Sequence, residues 1–305
     1  MDYGRIVSRS FEIAWEHKWL WIFGIFAAGM GLNLRIEYLL GISPTNPMEL
    51  IQLMLNDPDR INAVNSSLYP ISIFSGLITV FALGSIIDSV NRIERGGIFS
   101  FSTAFSAGVD NYLKLFGLSI IFITVSMAYV FFISLFITFL FAINMLIGGL
   151  SLLIIFPVTL FIFFSLLQIL MISLRVVVIR NVGIIESISE GFTLLKMHFG
   201  KNIAVFFIFI AFLIGFGIIT FVIWFILSFP IDIVIQAMNL KAFAAMMTAM
   251  FLGLPVTYLL GGFIGLFYTT FMTLFYIELV DPKPESAYFP ETAQSAPPND
   301  NTPLI

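Results

Sequence analysis

The chain has 305 residues, of which 59% are hydrophobic and only 10% are charged, and its formal net charge is −4. A soluble domain carries about 25% charged residues, so this chain could not cover a water-facing surface and is expected in a lipid bilayer. The charges form no basic face of the kind that binds nucleic acid. The absence of cysteine excludes disulfides, thiolate metal sites, cysteine nucleophiles and lipidated cysteines.

Six apolar segments are predicted to cross the membrane. A helix needs about 20 apolar residues to cross a hydrocarbon core about 30 Å thick. The first segment, Trp19–Ile42, is the weakest, because Arg35 and Glu37 in its second half must reach the membrane surface. The other five segments meet or exceed the required length, and they are Leu68–Ile93, Leu113–Ile143, Met145–Ile179, Ile203–Pro230 and Met250–Val280.

The first segment has a second interpretation, as a cleaved secretory signal. Basic residues precede it, and the small residues at 27–29 could follow a short apolar core. However, Glu12, Glu16 and His17 interrupt the approach to the segment, and no clear A-x-A cleavage site follows it. We therefore expect a retained first span.

The positions of the lysines and arginines predict the orientation of the chain. Segments on the cytoplasmic side of a membrane carry an excess of these residues. Three lie on one side of the predicted spans, at Arg35, Arg60 and Lys241. Eleven lie on the other side, at Arg5, Arg9, Lys18, Arg92, Arg95, Lys114, Arg175, Arg180, Lys196, Lys201 and Lys283. We therefore expect both termini in the cytoplasm, and a plasma membrane because the chain carries no organelle address.

A short pattern recurs three times, each time before a long apolar run. Its members are Ser8-x2-Phe11-x5-His17, Ser102-x2-Phe105-x5-Asn111 and Ser189-x2-Phe192-x5-His198, and the last two copies extend upstream as Gly96-x3-Ser100 and Gly183-x3-Ser187. The pattern predicts three repeats, at about 1–95, 96–182 and 183–280. Each would comprise an amphipathic helix in the membrane interface followed by a helical hairpin. The alternative is a chance likeness between interface helices rich in Ser and Phe.

The repeats together predict an all-α integral membrane domain over residues 1–280. The segment Ser43–Asn62 contains two prolines and a short apolar stripe, and it is expected to form an outer loop with one surface helix. Residues 281–305 are rich in proline and polar residues, so they are expected to form a disordered cytoplasmic tail.

Two ionisable residues inside the predicted spans are candidates for function. Asp88 and Arg175 each stand seventeen residues before the Phe of a repeat, so they occupy equivalent places in two repeats. One hypothesis is that they form an intramembrane ion pair. The alternative is local, with Asp88 pairing with Arg92 one turn away and Arg175 extending to the headgroups.

Four basic residues near the predicted interfacial helices are candidate contacts for lipid headgroups, namely Arg92, Arg95, Lys196 and Lys201. No catalytic residues, cofactor site or metal site are expected. His17 and His198 lack acidic residues at ligand spacing, and the chain has no Gly-rich phosphate loop and no nucleophile elbow.

The stretch from Ala14 to Gly24, AWEHKWLWIFG, resembles the start of a broad group of prokaryotic multi-pass membrane proteins of unknown role. The stretch from Ile184 to Lys201 resembles their later interfacial helix. It is also similar to the membrane domain attached to some glycerophosphoryl diester phosphodiesterases. The resemblance covers most of residues 1–280 in layout but only these short pieces in sequence. It implies a membrane-embedded module without the phosphodiesterase activity, which belongs to a separate soluble domain for which this chain has no room.

Three functions remain as alternatives. The first is a non-enzymatic module that binds membrane lipids or another membrane protein. The second is a transporter or channel subunit, which the repeats and the prolines inside the spans favour but the lack of a polar stripe disfavours. The third, an intramembrane enzyme, would require convergent His, Asp or Glu residues, and the sequence shows none.

Overall fold

A computed structural model describes residues 1–27, 58–238 and 254–281 of the chain. Within these residues the regular structure is entirely helical. The helices are α1 (Tyr3–Glu16), α2 (Leu20–Ala27), α3 (Pro58–Glu94), α4 (Phe101–Ile143), α5 (Met145–Arg180), α6 (Ile184–Met197), α7 (Phe199–Met238) and α8 (Leu254–Val280).

Five of these helices are long and apolar enough to cross a membrane. The qualifying segments are Ile73–Glu94 in α3, Phe101–Ile143 in α4, Met145–Arg180 in α5, Phe199–Ile223 in α7 and Tyr258–Val280 in α8. They confirm the prediction of a multi-pass, all-helical membrane protein. Most of the first predicted span, the outer loop and the tail lie outside the described residues, and α2 supplies only the start of that first span.

Helix α8 is the central helix of the bundle. Its span is mostly buried, and it packs against α1, α2, α3 and α5. Leu266, Phe271 and Phe275 on α8 are each at most 1% exposed. By contrast, α4, α5 and α7 expose most of their apolar side chains, as helices that face lipid do. The protein therefore consists of a packed centre around α8 with longer lipid-facing helices outside it.

Helices α2 and α8 approach each other closely because both carry glycine where they cross. A Cβ atom on Gly24 would overlap the carbonyl oxygen of Gly262 and lie 2.9 Å from the Cβ of Leu266. A Cβ on Gly262 would lie 2.7 Å from Cγ1 of Ile25. Lipid tails give helices no hydrophobic reason to associate, so such close backbone packing is a main source of their attraction.

Helix α1 ties several helix ends together on one side of the bundle. Arg5 forms an ion pair with Glu278 at the end of α8, and Arg9 forms another, at 3.3 Å, with Glu94 at the end of α3. The Tyr3 hydroxyl donates to a backbone carbonyl at the start of α7 over 3.5 Å. We call this side of the bundle the charged end.

The charged end holds most lysines and arginines of the described residues, namely Arg5, Arg9, Lys18, Arg92, Arg95, Lys114, Arg180, Lys196 and Lys201, whereas Arg60 belongs to the first turn of α3 at the other end of that helix. Lys114 on α4 belongs here because its Nζ donates to Oδ1 of Asn181, just after α5, at 2.6 Å. Between Lys114 and Arg175 the α4–α5 hairpin has no charged residue, and it reverses at the single residue Asn144. The charges of this hairpin are therefore confined to the part of α4 and α5 that lies at or near the charged end.

Candidate functional site

The three repeated segments all form helix, but they do not end in the same way. The first and third copies are the separate helices α1 and α6, whose C-caps are His17 and His198. In each, the backbone N–H of the histidine donates to the carbonyl four residues earlier, at 3.1 and 3.0 Å. The second copy differs from the expectation of a separate short helix, because α4 continues without a break from Phe101 through Asn111 into the span.

The same positions are buried in all three copies. The position directly before the repeated phenylalanine is buried and holds a small residue, Ser10, Ala104 or Gly191. Four residues after it, Ala14, Gly108 and Leu195 are buried as well. The repeated phenylalanine is instead half exposed, at 50% for Phe11, 50% for Phe105 and 58% for Phe192. The phenylalanine is therefore presented outward on each helix, while small residues face the bundle.

The third copy shows why a small residue is needed at the buried position. A Cβ on Gly191 would lie 2.5 Å from Oγ of Ser173 and 3.1 Å from the carbonyl oxygen of Ile169, so α6 lies directly on α5. The contact is fixed by a hydrogen bond of 3.0 Å from the Ser173 hydroxyl to the Ser187 carbonyl. In the second copy the small residue one turn later, Gly108, stands against side chains of α3 in the same way.

Around the exposed phenylalanines lie other exposed apolar side chains. On α1 and the residues after it, Trp15 is 55% exposed and Trp19 is 69% exposed, and the Lys18 ammonium lies 5.8 Å from the centre of the Trp15 ring. On α6, Ile185 and Met197 are 82% and 68% exposed. Aromatic rings next to basic groups are typical of side chains at the headgroup level of a membrane.

The four predicted headgroup contacts lie in two groups at the charged end. Arg92 and Arg95 are at the end of α3, where Arg92 pairs with Asp88 at 2.5 Å and Arg95 donates to Asn91 at 3.1 Å. The side chains of Lys196 and Lys201 lie near the junction of α6 and α7, and within the described part of the chain they have no hydrogen-bonding or ionic partner. These two lysines are therefore the freer pair.

Ion pairs and burial at the charged end shift the pKa of two side chains on α1, Arg9 and Tyr3. Burial alone would lower the pKa of Arg9, but its ion pairs with Glu12 and Glu94 outweigh that effect and raise the pKa. Burial raises the pKa of Tyr3. The Tyr3 shift reflects the partial burial of α1 against the bundle, and the Arg9 shift reflects its ion pairs there.

The structure does not bring Asp88 and Arg175 together. Asp88 accepts a hydrogen bond from Arg92 on its own helix, which is the local alternative considered for it. Arg175 does not extend to the headgroups, which was the local alternative for that residue. Its side chain is 1% exposed and points back along α5 toward Met171, into the bundle.

Arg175 lies between α5 and α8. Its Nη1 donates to the Met171 carbonyl at 2.7 Å, and its Nη2 approaches the Thr269 carbonyl at 3.4 Å. Its Nε is buried without a hydrogen-bond partner in the described structure. No carboxylate of the described residues forms an ion pair with this guanidinium.

Further buried oxygen atoms lie on α5 and α8. Oε1 of Gln168, Oγ1 of Thr270 and the hydroxyl of Tyr276 are buried and lack partners among the described residues. Gln168 stands two turns before Arg175 on the same face of α5. The group of threonines at 269, 270 and 273, inside an otherwise apolar segment, was the signal in the sequence that could have located this polar region of α8.

Comparison of the chain with protein-family models, with curated proteins and with solved structures gave no match. Within the described residues, no group of three His, Asp or Glu side chains is placed to hold a metal ion. The two features with functional character are thus the exposed faces of the interfacial segments and the buried arginine.

Proposed function

We propose that the protein is a non-enzymatic membrane module that binds membrane lipids, and through the same surface another membrane protein, by its interfacial segments. The observation that carries this proposal is the matched exposure of Phe11, Phe105 and Phe192 beside the basic residues of the charged end. Phe11 and Phe105 each contact one ring of the bundle, Phe263 and Phe81 respectively, yet about half of each phenylalanine side chain stays exposed. The remaining exposure is explained by contact with the boundary between headgroups and acyl chains.

The proposed architecture is six spans in three repeats, with the interfacial segments on the cytoplasmic side of a plasma membrane. The shared burial pattern of the three segments supports the repeats, since small residues face inward and phenylalanine outward in each copy. The concentration of lysines and arginines at the charged end supports a cytoplasmic placement of that end. The resemblance to the membrane domain of glycerophosphoryl diester phosphodiesterases is in keeping with such a module.

Within this surface, Lys196 and Lys201 are proposed to contact anionic headgroups. Each basic residue near an anionic surface contributes about 1 kcal/mol of attraction, provided that its charge is not already paired. Lys114 offers a matched comparison, because its ammonium keeps its charge but is directed at the Asn181 side chain, which takes up its hydrogen bonding. Arg92 and Arg95 are expected to contribute less than the two lysines, since both have partners on α3.

The proposal is tested by native mass spectrometry of protein extracted gently from its own membrane. We expect retained anionic lipid on the wild type, less on a Lys196→Gln/Lys201→Gln double variant, and an unchanged amount on Lys114→Gln. A second protein that co-purifies at a fixed ratio would show that the module binds a protein partner. If purified protein shows no saturable binding of either lipid or protein, the proposal fails.

The alternative function is that of a transporter or channel subunit. The observation in its favour is the set of buried oxygen atoms without partners at Gln168, Thr270 and Tyr276, because polar groups inside a bundle mark substrate pathways in many transporters. Flux measurements in proteoliposomes across ions and small solutes test it. Rates equal to those of empty liposomes would count against a transporter.

A further inference from the structure

Arg175 places a permanent positive charge deep inside the bundle. The guanidinium bonds the carbonyl of Met171, nine residues before the end of α5, and approaches that of Thr269, eleven residues before the end of α8. At 1.5 Å per residue these carbonyls lie about 13 and 16 Å from the helix ends. The centre of a hydrocarbon core about 30 Å thick lies at a similar depth.

Such a charge is costly without a counter-charge. An arginine stays protonated in proteins, and a buried unpaired charge destabilises a structure because it loses its hydration. Among the described residues the partners of Arg175 are two neutral carbonyl oxygens and the Met171 sulfur, its Nε is unpartnered, and the side chain is only 1% exposed. Within this part of the chain the Arg175 site therefore provides a positive charge and a free N–H donor without an acidic residue to complete them.

From this geometry we infer that Arg175 is the centre of a buried binding site for the acidic headgroup of an amphiphile, a carboxylate or a phosphate. Guanidinium binds both groups through parallel N–H donors, and charge-assisted hydrogen bonds of this kind are about twice as strong as neutral ones. The site lies inside the bundle and is distinct from the proposed lipid contacts at Lys196 and Lys201. It goes beyond the interfacial function, since neither site requires the other.

In this proposal the acyl chain of the amphiphile lies in an apolar groove on α7. The groove has a volume of about 360 Å³ and is lined by Ile208, Ala211, Phe212, Gly215, Phe216 and Ile219 of α7. The Phe212 ring lies 4.7 Å from Phe267 and 6.5 Å from Phe271, both on α8. The groove thus borders the turn of α8 that contains Thr269, whose carbonyl Arg175 approaches. An amphiphile fits this arrangement because it carries both an acid and a chain.

The test uses the full chain purified in a neutral maltoside detergent, with dodecyl phosphate and dodecanoate as probes. We expect one saturable site per chain on the wild type and at least tenfold weaker binding to Arg175→Met, since a charge-assisted bond of this kind is worth a factor of ten or more. Arg180→Gln is the matched control. It removes an arginine from the same helix, half exposed and paired with Glu190, and should leave the affinity within about threefold.

Inorganic phosphate separates the two sources of the anion. If it competes with dodecyl phosphate, the site takes free anions as well as amphiphiles, and if it does not, the site requires the acyl chain and is a lipid site. Both results support an anion site at Arg175. Equal binding by wild type and Arg175→Met, or no saturable binding of either probe to the wild type, would overturn the inference.

A purely structural role for Arg175 gives a different result. If the arginine only joined α5 to α8, Arg175→Met would lower the melting temperature without any probe present. An anion site predicts an unchanged or higher melting temperature, because an apolar side chain of similar length removes an unpaired buried charge. If Arg175→Met does not fold, Arg175→Lys takes its place. It keeps the charge but loses Nε and the planar fork, so its affinity should fall several-fold, and unchanged affinity would overturn the inference.

Discussion

The crossing of α2 over α8 gives the sharpest prediction about stability. We consider Gly24→Ala, which adds a single methyl group. The new carbon would overlap the carbonyl oxygen of Gly262 and stand 2.9 Å from Cβ of Leu266, where ordinary contact begins near 3.4 Å. The obstacle at Gly262 is backbone, which no side-chain rotation can clear. The two helices must therefore move apart by at least half an ångström, the difference between those two distances.

The cost follows from the packing that this movement disrupts. Inserting a methylene into a well-packed core typically costs 1–3 kcal/mol, and a backbone clash lies within that range, at about 2 kcal/mol. For a chain of this size such a loss lowers the melting temperature by about 4–8 °C. The assay is thermal unfolding in detergent, followed by intrinsic fluorescence, with wild type and variant at equal concentration.

Gly217→Ala on α7 is the matched control, because a Cβ there meets no atom within 4 Å. Alanine is also the better helix former, so the control should unfold at or slightly above the wild-type temperature. A Gly24→Ala melting temperature equal to that of the control would refute the close crossing of α2 and α8.

Three further predictions concern the charged end and the direction of the chain. Asp88→Asn should cost less than about 1 kcal/mol in thermal unfolding, because its ion pair with the half-exposed Arg92 is an i,i+4 pair within one helix; a loss above 3 kcal/mol would instead indicate a buried partner. Arg5→Gln should increase hydrogen exchange in α1 at low salt and have a smaller effect at 1 M salt, because it removes a partly exposed ion pair to α8; equal exchange at low salt would show that this pair does not hold α1. Single cysteines at Asn65 and Ser106, in a chain without native cysteine, should react with an impermeant maleimide from opposite sides of the membrane; labelling from the same side would contradict the proposed topology.

The apolar segments could be predicted from the sequence because the rule is local. In hydrocarbon every backbone N–H and C=O must be satisfied within its own helix, so a long apolar run specifies a spanning helix whatever its neighbours are. The predicted segments Met145–Ile179 and Leu113–Ile143 end within a residue of α5 and α4 for this reason. The break expected between the second interfacial segment and its span did not occur. Phe101 to Ile143 contains no proline at which a continuous helix had to stop.

The surroundings of Arg175 could not be predicted from the sequence, because they depend on contacts between distant parts of the chain. Repeat symmetry suggested Asp88 as its partner, and position near a helix end suggested an extension to the headgroups. Neither suggestion takes account of α8, which packs over the side chain. The carbonyl oxygen of Thr269 on α8, 94 residues later in the sequence, lies within 3.4 Å of Arg175 Nη2. A pairing across that separation has no local pattern to reveal it.

The sequence by itself determined the class of protein, the five described spans, the amphipathic character of the interfacial segments and the concentration of charge beside alternate spans. All of these follow from side-chain polarity along one helix. Only the tertiary structure decided that α8 is central, that α1 is tied to the ends of α3 and α8, and that Arg175 points inward. These depend on which helices approach closely enough to exclude lipid, and that is set by small residues such as Gly24 and Gly262 meeting across long separations.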